Sequence, residues 1–413
     1  MQPTVATHLL ADRLPAAQRS LRIAFVTETY PPEINGVALT VACMVEGLHE
    51  RNHDLQLIRP WQGGSAAADQ RERFQEVLTR GLPIPRYPDL RMGVPAKRVL
   101  MRLWAMRRPD VVHIATEGPL GWSALQAARQ LQLPVCSDFR TNFHAYSTHY
   151  GIGWLRKPIY AYLRAFHNRT AFTMVPTEAL RSELRDSGFR NVCAVSRGVD
   201  TLRFHPRQRN AALRESWGLA DDDLAVICVG RLAPEKNLGV LLSAFEAIQQ
   251  VNARARLIIV GDGPLRSDLQ RRCPNAEFAG QRSGDDLAAH YASADLFLFP
   301  SLTETFGNVT TEALASGLAL VAFDHAAAAQ LIRCGHNGMV VPLGNSSAFV
   351  QAAVTLAGDA AQRRRIAQRA RESAATLDWA GVVLRFEAVL AQAIQASAMP
   401  RDSGALAPHT TVA

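Results

Sequence analysis

In the second half of the chain, short continuous apolar runs alternate with amphipathic stretches. LAVICVG, NLGVLLSAFEAIQQV, ARLIIVG, PLRSDLQRR, AEFAG, GDDLAAHYASA, DLFLFPS, NVTTEALAS, LALVAF, AAAAQLIRC and GMVVP follow one another in order. Apolar runs with no polar alternation are strands buried on both faces, and the helical segments between them are crossovers, so the pattern predicts a parallel sheet covered on both sides. The first half begins the same way, with LRIAFVTE, a turn TYPPEING, a helix VALTVACMVEGLHERN and then DLQLIRP. DVVHIAT, LPVCSDF, AFTMVPT and NVCAVS are its later strand candidates. Two doubly wound α/β domains are therefore expected, joined near RGVDTLRFHPRQRN, residues 197–210. The expected division is a loose segment 1–20, a first Rossmann-like domain 21–200, a second 201–376, a helix 377–397 packing back on the first domain, and a tail 398–413. Open sheets of this kind bind ligands outside the carboxyl ends of their strands, so two of them facing each other make a cleft.

With 413 residues, 48% of them apolar, the chain has material for two cores. Its six cysteines form no C-x-x-C pair and fall mostly in or beside apolar runs, which predicts buried thiols and a reducing, cytoplasmic setting. Residues 1–20 lack the apolar core of a signal peptide, and no run of 18 apolar residues occurs. The net charge of +8 is one-sided: residues 1–200 hold 25 Lys/Arg against 17 Asp/Glu, whereas 201–413 hold 20 of each. Much of the excess lies between Arg86 and Arg108, with Arg91, Lys97, Arg98, Arg102 and Arg107 among Leu100, Met101, Leu103, Trp104 and Met106. Two readings stand: a solvated helix face, or a surface that rests on anionic lipid and holds the protein peripherally on the inner face of the membrane. Nucleic acid is not expected, because no stacking aromatic series accompanies the basic groups.

Candidate chemistry collects at three strand ends. In VGRLAPEKN, Arg231 and Lys236 leave a strand around a proline turn, so that both cations can converge on a pair of phosphates. Lysine is not background here, since the chain has three lysines against 42 arginines. Gly36, in the turn before the first helix, lets backbone amides approach a phosphate. Its surroundings lack G-x-G-x-x-G, which argues against a dinucleotide dehydrogenase. In PSLTETFGNVTTEALASG, Glu304 belongs to a loop, Asn308 is the expected helix cap, and Glu312 lies on the helix, with the amides of Phe306, Gly307 and Asn308 between the two acids. Two readings again stand, solvated acids or carboxylates that accept sugar hydroxyls. A carboxylate for a diol at each end and two cations between describe a nucleotide sugar.

Taken together these motifs resemble the retaining glycosyltransferases of family 4, which have the GT-B fold: two Rossmann-like domains facing across a cleft. Glu304 to Glu312 resembles the family's E-x7-E signature, Arg231 with Lys236 its diphosphate-binding pair, and VGDGP followed by FAG the strand ends that frame the base. SDFRTNFHAYSTHYGIG, YLRAFHNRT and RGVDTLRFHP look most like GDP-mannose-dependent α-mannosyltransferases and the sulfoquinovosyl and glucuronosyl diacylglycerol synthases. The resemblance spans roughly residues 20–395. It implies that Glu312 holds the ribose, that Glu304 and the amides of Phe306, Gly307 and Asn308 hold the donor sugar, and that Gly36 lies by the diphosphate. The donor it implies is GDP-mannose or a UDP-sugar, the acceptor a lipid or glycan, and the product an α-linked sugar formed without a metal or other cofactor.

One departure from the family pattern concerns its H-T-x-F segment. Aligning Thr141 and Phe143 to it puts Arg140 where the histidine would stand, so either Arg140 or His144 faces the donor sugar. Two rival functions remain, a glycoside hydrolase using Glu304 and Glu312 as a catalytic pair, and a non-catalytic nucleotide-sugar-binding protein. Asp221-Asp222-Asp223 precedes a strand, at the wrong end for a ligand, and is expected to be a solvated turn. The histidines show no metal-ligand spacing.

Overall fold

The computed structural model describes residues 19–33, 35–62, 68–84, 87–140 and 156–398. Among the described residues ten strands precede residue 200: β1 (Arg22–Val26), β2 (Asp54–Pro60), β3 (Gln70–Arg71), β4 (Phe74–Thr79), β5 (Gly81–Ile84), β6 (Tyr87–Gly93), β7 (Val111–Ile114), β8 (Val135–Asp138), β9 (Phe172–Val175) and β10 (Val192–Ala194). Eight of them form one sheet in the order β10-β9-β8-β7-β1-β2-β4-β3, parallel throughout except for β3. β5 and β6 form a separate antiparallel hairpin. The second sheet contains β11 (Ala225–Val229), β12 (Arg256–Val260), β13 (Glu277–Gly280), β14 (Leu296–Phe299), β15 (Ala319–Phe323) and β16 (Met339–Val341). Its order, β13-β12-β11-β14-β15-β16, is all parallel and reverses direction between β11 and β14. A crevice opens at such a reversal, because neighbouring crossovers run to opposite faces.

Every apolar run expected as a strand is one. β3 to β6 were not anticipated: β4, FQEVLT, lies near the rim, where Gln75 and Glu76 are tolerated and the continuous apolar signature is lost. The helix Gly36–Glu50 shows how sequence sets cover. Ala38, Val41, Met44, Val45 and Leu48 recur at helical spacing and are buried, and the Asn35 side chain caps the start by accepting from the amides of Val37 at 3.0 Å and Ala38 at 2.8 Å.

The last helix, Trp379–Ala398, shares the first sheet's core through Val382, Val383, Phe386 and Leu390. Phe386 lies 6.1 Å from the Phe25 ring and 4.7 Å from the His113 ring, and Glu387 pairs with Arg51 at 2.6 Å. The chain thus passes between the sheets twice, and the passages touch: the Val199 amide donates to the Leu377 carbonyl at 2.8 Å.

Candidate active site

At the reversal between β11 and β14, the turns after β11 and β12 interlock. Gly261 has φ +131°, and a Cβ there would lie 2.0 Å from the Gly230 carbonyl oxygen, so only glycine permits the approach. Arg231 pairs with Glu235, a fully buried acid of its own turn. Lys236 pairs instead with Glu304 of the loop after β14, and the Ser301 hydroxyl donates to the same carboxylate at 2.8 Å. The two cations expected side by side at a diphosphate therefore have separate carboxylate partners.

Asn308 is not the helix cap. Gly307, at φ +93°, occupies the cap position and Asn308 is the first residue of the helix Asn308–Ala315. A left-handed cap favours glycine, which has no side chain to spend on the helix amides, and none caps them here. The Asn308 side chain is thereby released. It accepts from Arg197 Nη1 at 3.1 Å and donates to the Gly36 carbonyl at 3.5 Å, joining the two sheets' loops. One turn on, Glu312 accepts from the Tyr291 hydroxyl at 2.9 Å. Burial pushes its carboxyl up to about 7, with the tyrosine hydrogen bond pulling the other way. Glu304 and Glu312 share no side-chain partner among the described residues.

On the facing side, a Cβ at Gly36 would lie 3.4 Å from Asn308 Nδ2 and 3.8 Å from Arg197 Nη1, so this helix start abuts the opposing loop. Arg140 is buried just past β8, its Nε 2.5 Å from Asp138 Oδ2, and His113 Nε2 meets the same oxygen at 2.9 Å. Burial would raise the Asp138 carboxyl, but Arg140 and His113 hold it below its ordinary value. His144, with Thr141 and Phe143, lies outside the described residues.

Sequence reading missed three participants. Arg197, 5% exposed, places its Cζ 5.6 Å from the Phe306 ring centroid. Burial draws its pKa down to about 9, helped by the nearby Arg140 charge and opposed by Asp138 and Glu304. RGVD, quoted for its likeness alone, was its only signal. Asp138 lay within SDFRTNFHAYSTHYGIG, likewise quoted for its likeness alone, and Tyr291 carried no signal, being one residue of a helix. The structure thus joins Gly36, Arg197, Phe306 and Asn308 in one cluster, Lys236 and Glu304 in a second, and Arg140 with Asp138 in a third. Arg231 and Glu312 have partners of their own, Glu235 and Tyr291.

The basic helix Lys97–Met106 departs from expectation in which face it shows. Leu100 and Trp104 are core residues; the side turned outward carries Arg98, Val99, Arg102 and Met106, the last 82% exposed. Arg107 pairs with Asp54, and Arg86 lies outside the described residues. Asp223 is buried rather than solvated, accepting from the Ala220 amide at 2.9 Å and pairing with Arg254, while Asp221 and Asp222 are exposed. Cys136 and Cys228 are buried and Cys334 is exposed. Among the described residues no group of three potential metal-ligating side chains occurs, and no helix is long and apolar enough to cross a membrane.

Residues 34–203 match the family model described as Glycosyltransferase Family 4, and residues 223–359 that described as Glycosyl transferases group 1. A GDP-mannose-dependent alpha-mannosyltransferase of Mycobacterium tuberculosis is 36% identical over 365 residues, covering 87% of this chain and 93% of its own. Sulfoquinovosyl transferase SQD2 of Arabidopsis thaliana is 30% identical, over 73% of this chain and 60% of its own. Among solved structures, sucrose-phosphate synthase from Thermosynechococcus elongatus superimposes with a TM-score of 0.75 at 18% identity, over 92% of this chain and all of that one, a likeness of fold.

Proposed function

The chain belongs to glycosyltransferase family 4 and has the GT-B fold, and from that premise we propose that it transfers mannose from GDP-mannose, with retention, to a lipid or glycan acceptor. The observation that carries this is the meeting of an uncapped helix start at Asn308 with Gly36, Arg197 and the Lys236–Glu304 pair across the facing strand ends. A helix start without an acid or a side-chain cap favours an anion, and the surrounding cations favour a doubly charged one.

In this reading Arg231, Lys236 and the amides of the helix Asn308–Ala315 neutralise the diphosphate, Glu304 and the amides of residues 306–308 hold the sugar, and Glu312 holds the ribose. The bond from the sugar's anomeric carbon to the diphosphate oxygen breaks, and its electron pair stays on that oxygen. The acceptor hydroxyl attacks from the same face and gives its proton to the departing phosphate oxygen. The protein's contribution is positioning and stabilisation of the leaving charge. In the same reading Arg140, tied to Asp138, or His144 faces the donor sugar.

A UDP-sugar-dependent transfer to diacylglycerol is the second reading, favoured by the likeness to the sulfoquinovosyl transferase. The acceptor side is proposed to rest on anionic lipid through Arg98, Arg102, Val99 and Met106. Incubation with GDP-mannose, UDP-glucose and UDP-sulfoquinovose, with lipid extract as acceptor and product analysis by NMR, tests the assignment. An α-mannoside from GDP-mannose alone is expected. A β-linked product overturns retention, and turnover of a UDP-sugar alone overturns the mannose donor. Sugar released from a glycoside without any nucleotide would instead indicate the hydrolase.

A further inference from the structure

Among the described residues Arg197 is a buried cation with no carboxylate bonded to it. The residue belongs to the segment after β10 and is 5% exposed. Among the described residues its one hydrogen-bond acceptor is the neutral amide oxygen of Asn308, at 3.1 Å, and its Nε has none. A buried charge is strongly unfavourable unless it is paired, so a chain that keeps one has a partner for it elsewhere.

The nearby carboxylates are already engaged. Asp138 is held by Arg140 at 2.5 Å and His113 at 2.9 Å, and Glu304 by Lys236 and Ser301. Two helix starts meet at the same point, Gly36–Glu50 from one sheet and Asn308–Ala315 from the other, and neither has an acid in its first turn. Both add positive potential where Arg197 already stands. What this point lacks is negative charge carried by oxygens that several donors can share.

We propose that Arg197 is a catalytic residue that binds the donor's diphosphate directly, donating to it from Nε and Nη1 and stabilising the leaving oxygen as the bond to the sugar breaks. The inference rests on the nucleotide-sugar reading above and adds to it a third cation, supplied from the opposite side of the cleft to Arg231 and Lys236. Because that cation also touches Asn308, diphosphate binding and the approach of the two sheets are one event at this residue.

Arg197→Gln and Arg197→Lys separate this role from a structural one. Calorimetric titration of the parent with GDP, UDP, the matching monophosphates and inorganic pyrophosphate comes first. For whichever diphosphate the parent binds, Arg197→Gln is expected to weaken affinity about 10- to 100-fold, the range of a hydrogen bond to a charged group. The monophosphate should change less than about threefold by the same principle, because its single phosphate does not span to Arg197. Turnover should fall about 100- to 1,000-fold, with partial recovery in Arg197→Lys. The melting temperature of ligand-free Arg197→Gln should equal or exceed the parent's, since a desolvated charge has been removed. Unchanged diphosphate affinity overturns the proposal, as does equal loss of mono- and diphosphate binding together with a lower melting temperature. A parent that binds UDP and not GDP overturns the mannose reading while leaving this one to be measured on UDP. A parent that binds no diphosphate overturns both.

Discussion

The loops after β11 and β14 bring their cations and acids in pairs, Arg231 with Glu235 and Lys236 with Glu304. The facing loops, after β8 and β10, bring Arg140 and Arg197 with one acid between them, Asp138. The first surface is internally compensated. The second carries surplus positive charge in a place with little water to screen it, which makes it the side whose electrostatics a ligand completes. The same asymmetry is visible along the chain, since the whole excess of +8 precedes residue 201. A donor that docks on the compensated side and is then met by the uncompensated one has a physical reason to draw the two sheets together.

If this contrast is right, removing the acid that stands between these two arginines should damage folding more than any change on the other side. Asp138→Asn leaves Arg140 buried without its carboxylate partner, and loss of one partner of a buried pair costs about 3–5 kcal/mol. Urea unfolding followed by fluorescence reads this directly. Adding Arg140→Met to Asp138→Asn should recover much of the loss, because the orphaned charge goes with it. A loss below about 1 kcal/mol would mean that the cluster is solvated, as exposed pairs are.

On the compensated side the expected damage is to chemistry. Lys236→Ala should lower kcat/KM about 100- to 1,000-fold, as loss of a group stabilising transition-state charge does. Glu304→Ala should lower kcat more than it weakens donor binding, and Glu312→Ala should do the reverse. Steady-state kinetics with donor titrations separates the three. Parent-like binding and turnover by Glu312→Ala would remove it from the donor site.

Glu312 also allows the contrast to be tested by pH. Its carboxyl titrates at about 7 when folded and near 4.5 as a free group. The folded chain therefore binds an extra proton between these values, and the stability this contributes is present at acid pH and lost as pH rises toward about 7. Glu312→Gln keeps the neutral form throughout, so its melting temperature relative to the parent should climb from about pH 5 to about pH 8. A gain of about 2–4 °C corresponds to about 1 kcal/mol in a domain of this size. A difference that is flat with pH would mean that the carboxyl is hydrated.

How much of this was legible beforehand follows the same division. The C-terminal side is read from contiguous stretches: VGRLAPEKN supplies Arg231 and Lys236, and one loop and helix supply Glu304 to Glu312. The N-terminal side draws on residues 36, 113, 138 with 140, and 197, from four separate segments, and their convergence is a property of strand order that no local pattern carries. Even on the legible side a detail was misjudged. Asparagine is an ordinary cap, so Asn308 was given that task, but the left-handed turn at Gly307 took it over and freed the side chain to reach Arg197.

The smallest effect concerns the outer surface of the N-terminal side, where the same surplus of charge faces water. The helix Lys97–Met106 buries Leu100 and Trp104 and turns Arg98, Val99, Arg102 and Met106 outward. Basic groups beside exposed apolar ones suit an anionic bilayer, and each arginine near such a surface contributes about 1 kcal/mol, about fivefold in partitioning. Arg107 is a poor choice for the test because its neutralisation also breaks the pair with Asp54. Arg98→Gln and Arg102→Gln leave no described ion pair behind and isolate the surface effect. Co-sedimentation with vesicles of graded anionic lipid content should show about fivefold weaker binding for each, and a decline as salt shortens the screening length from about 10 Å at 0.1 M to about 3 Å at 1 M. The uncompensated charge would then serve twice, inward for the donor and outward for the membrane. Binding that ignores both arginines and salt would confine the surplus to the cleft, and a soluble glycan would become the better acceptor.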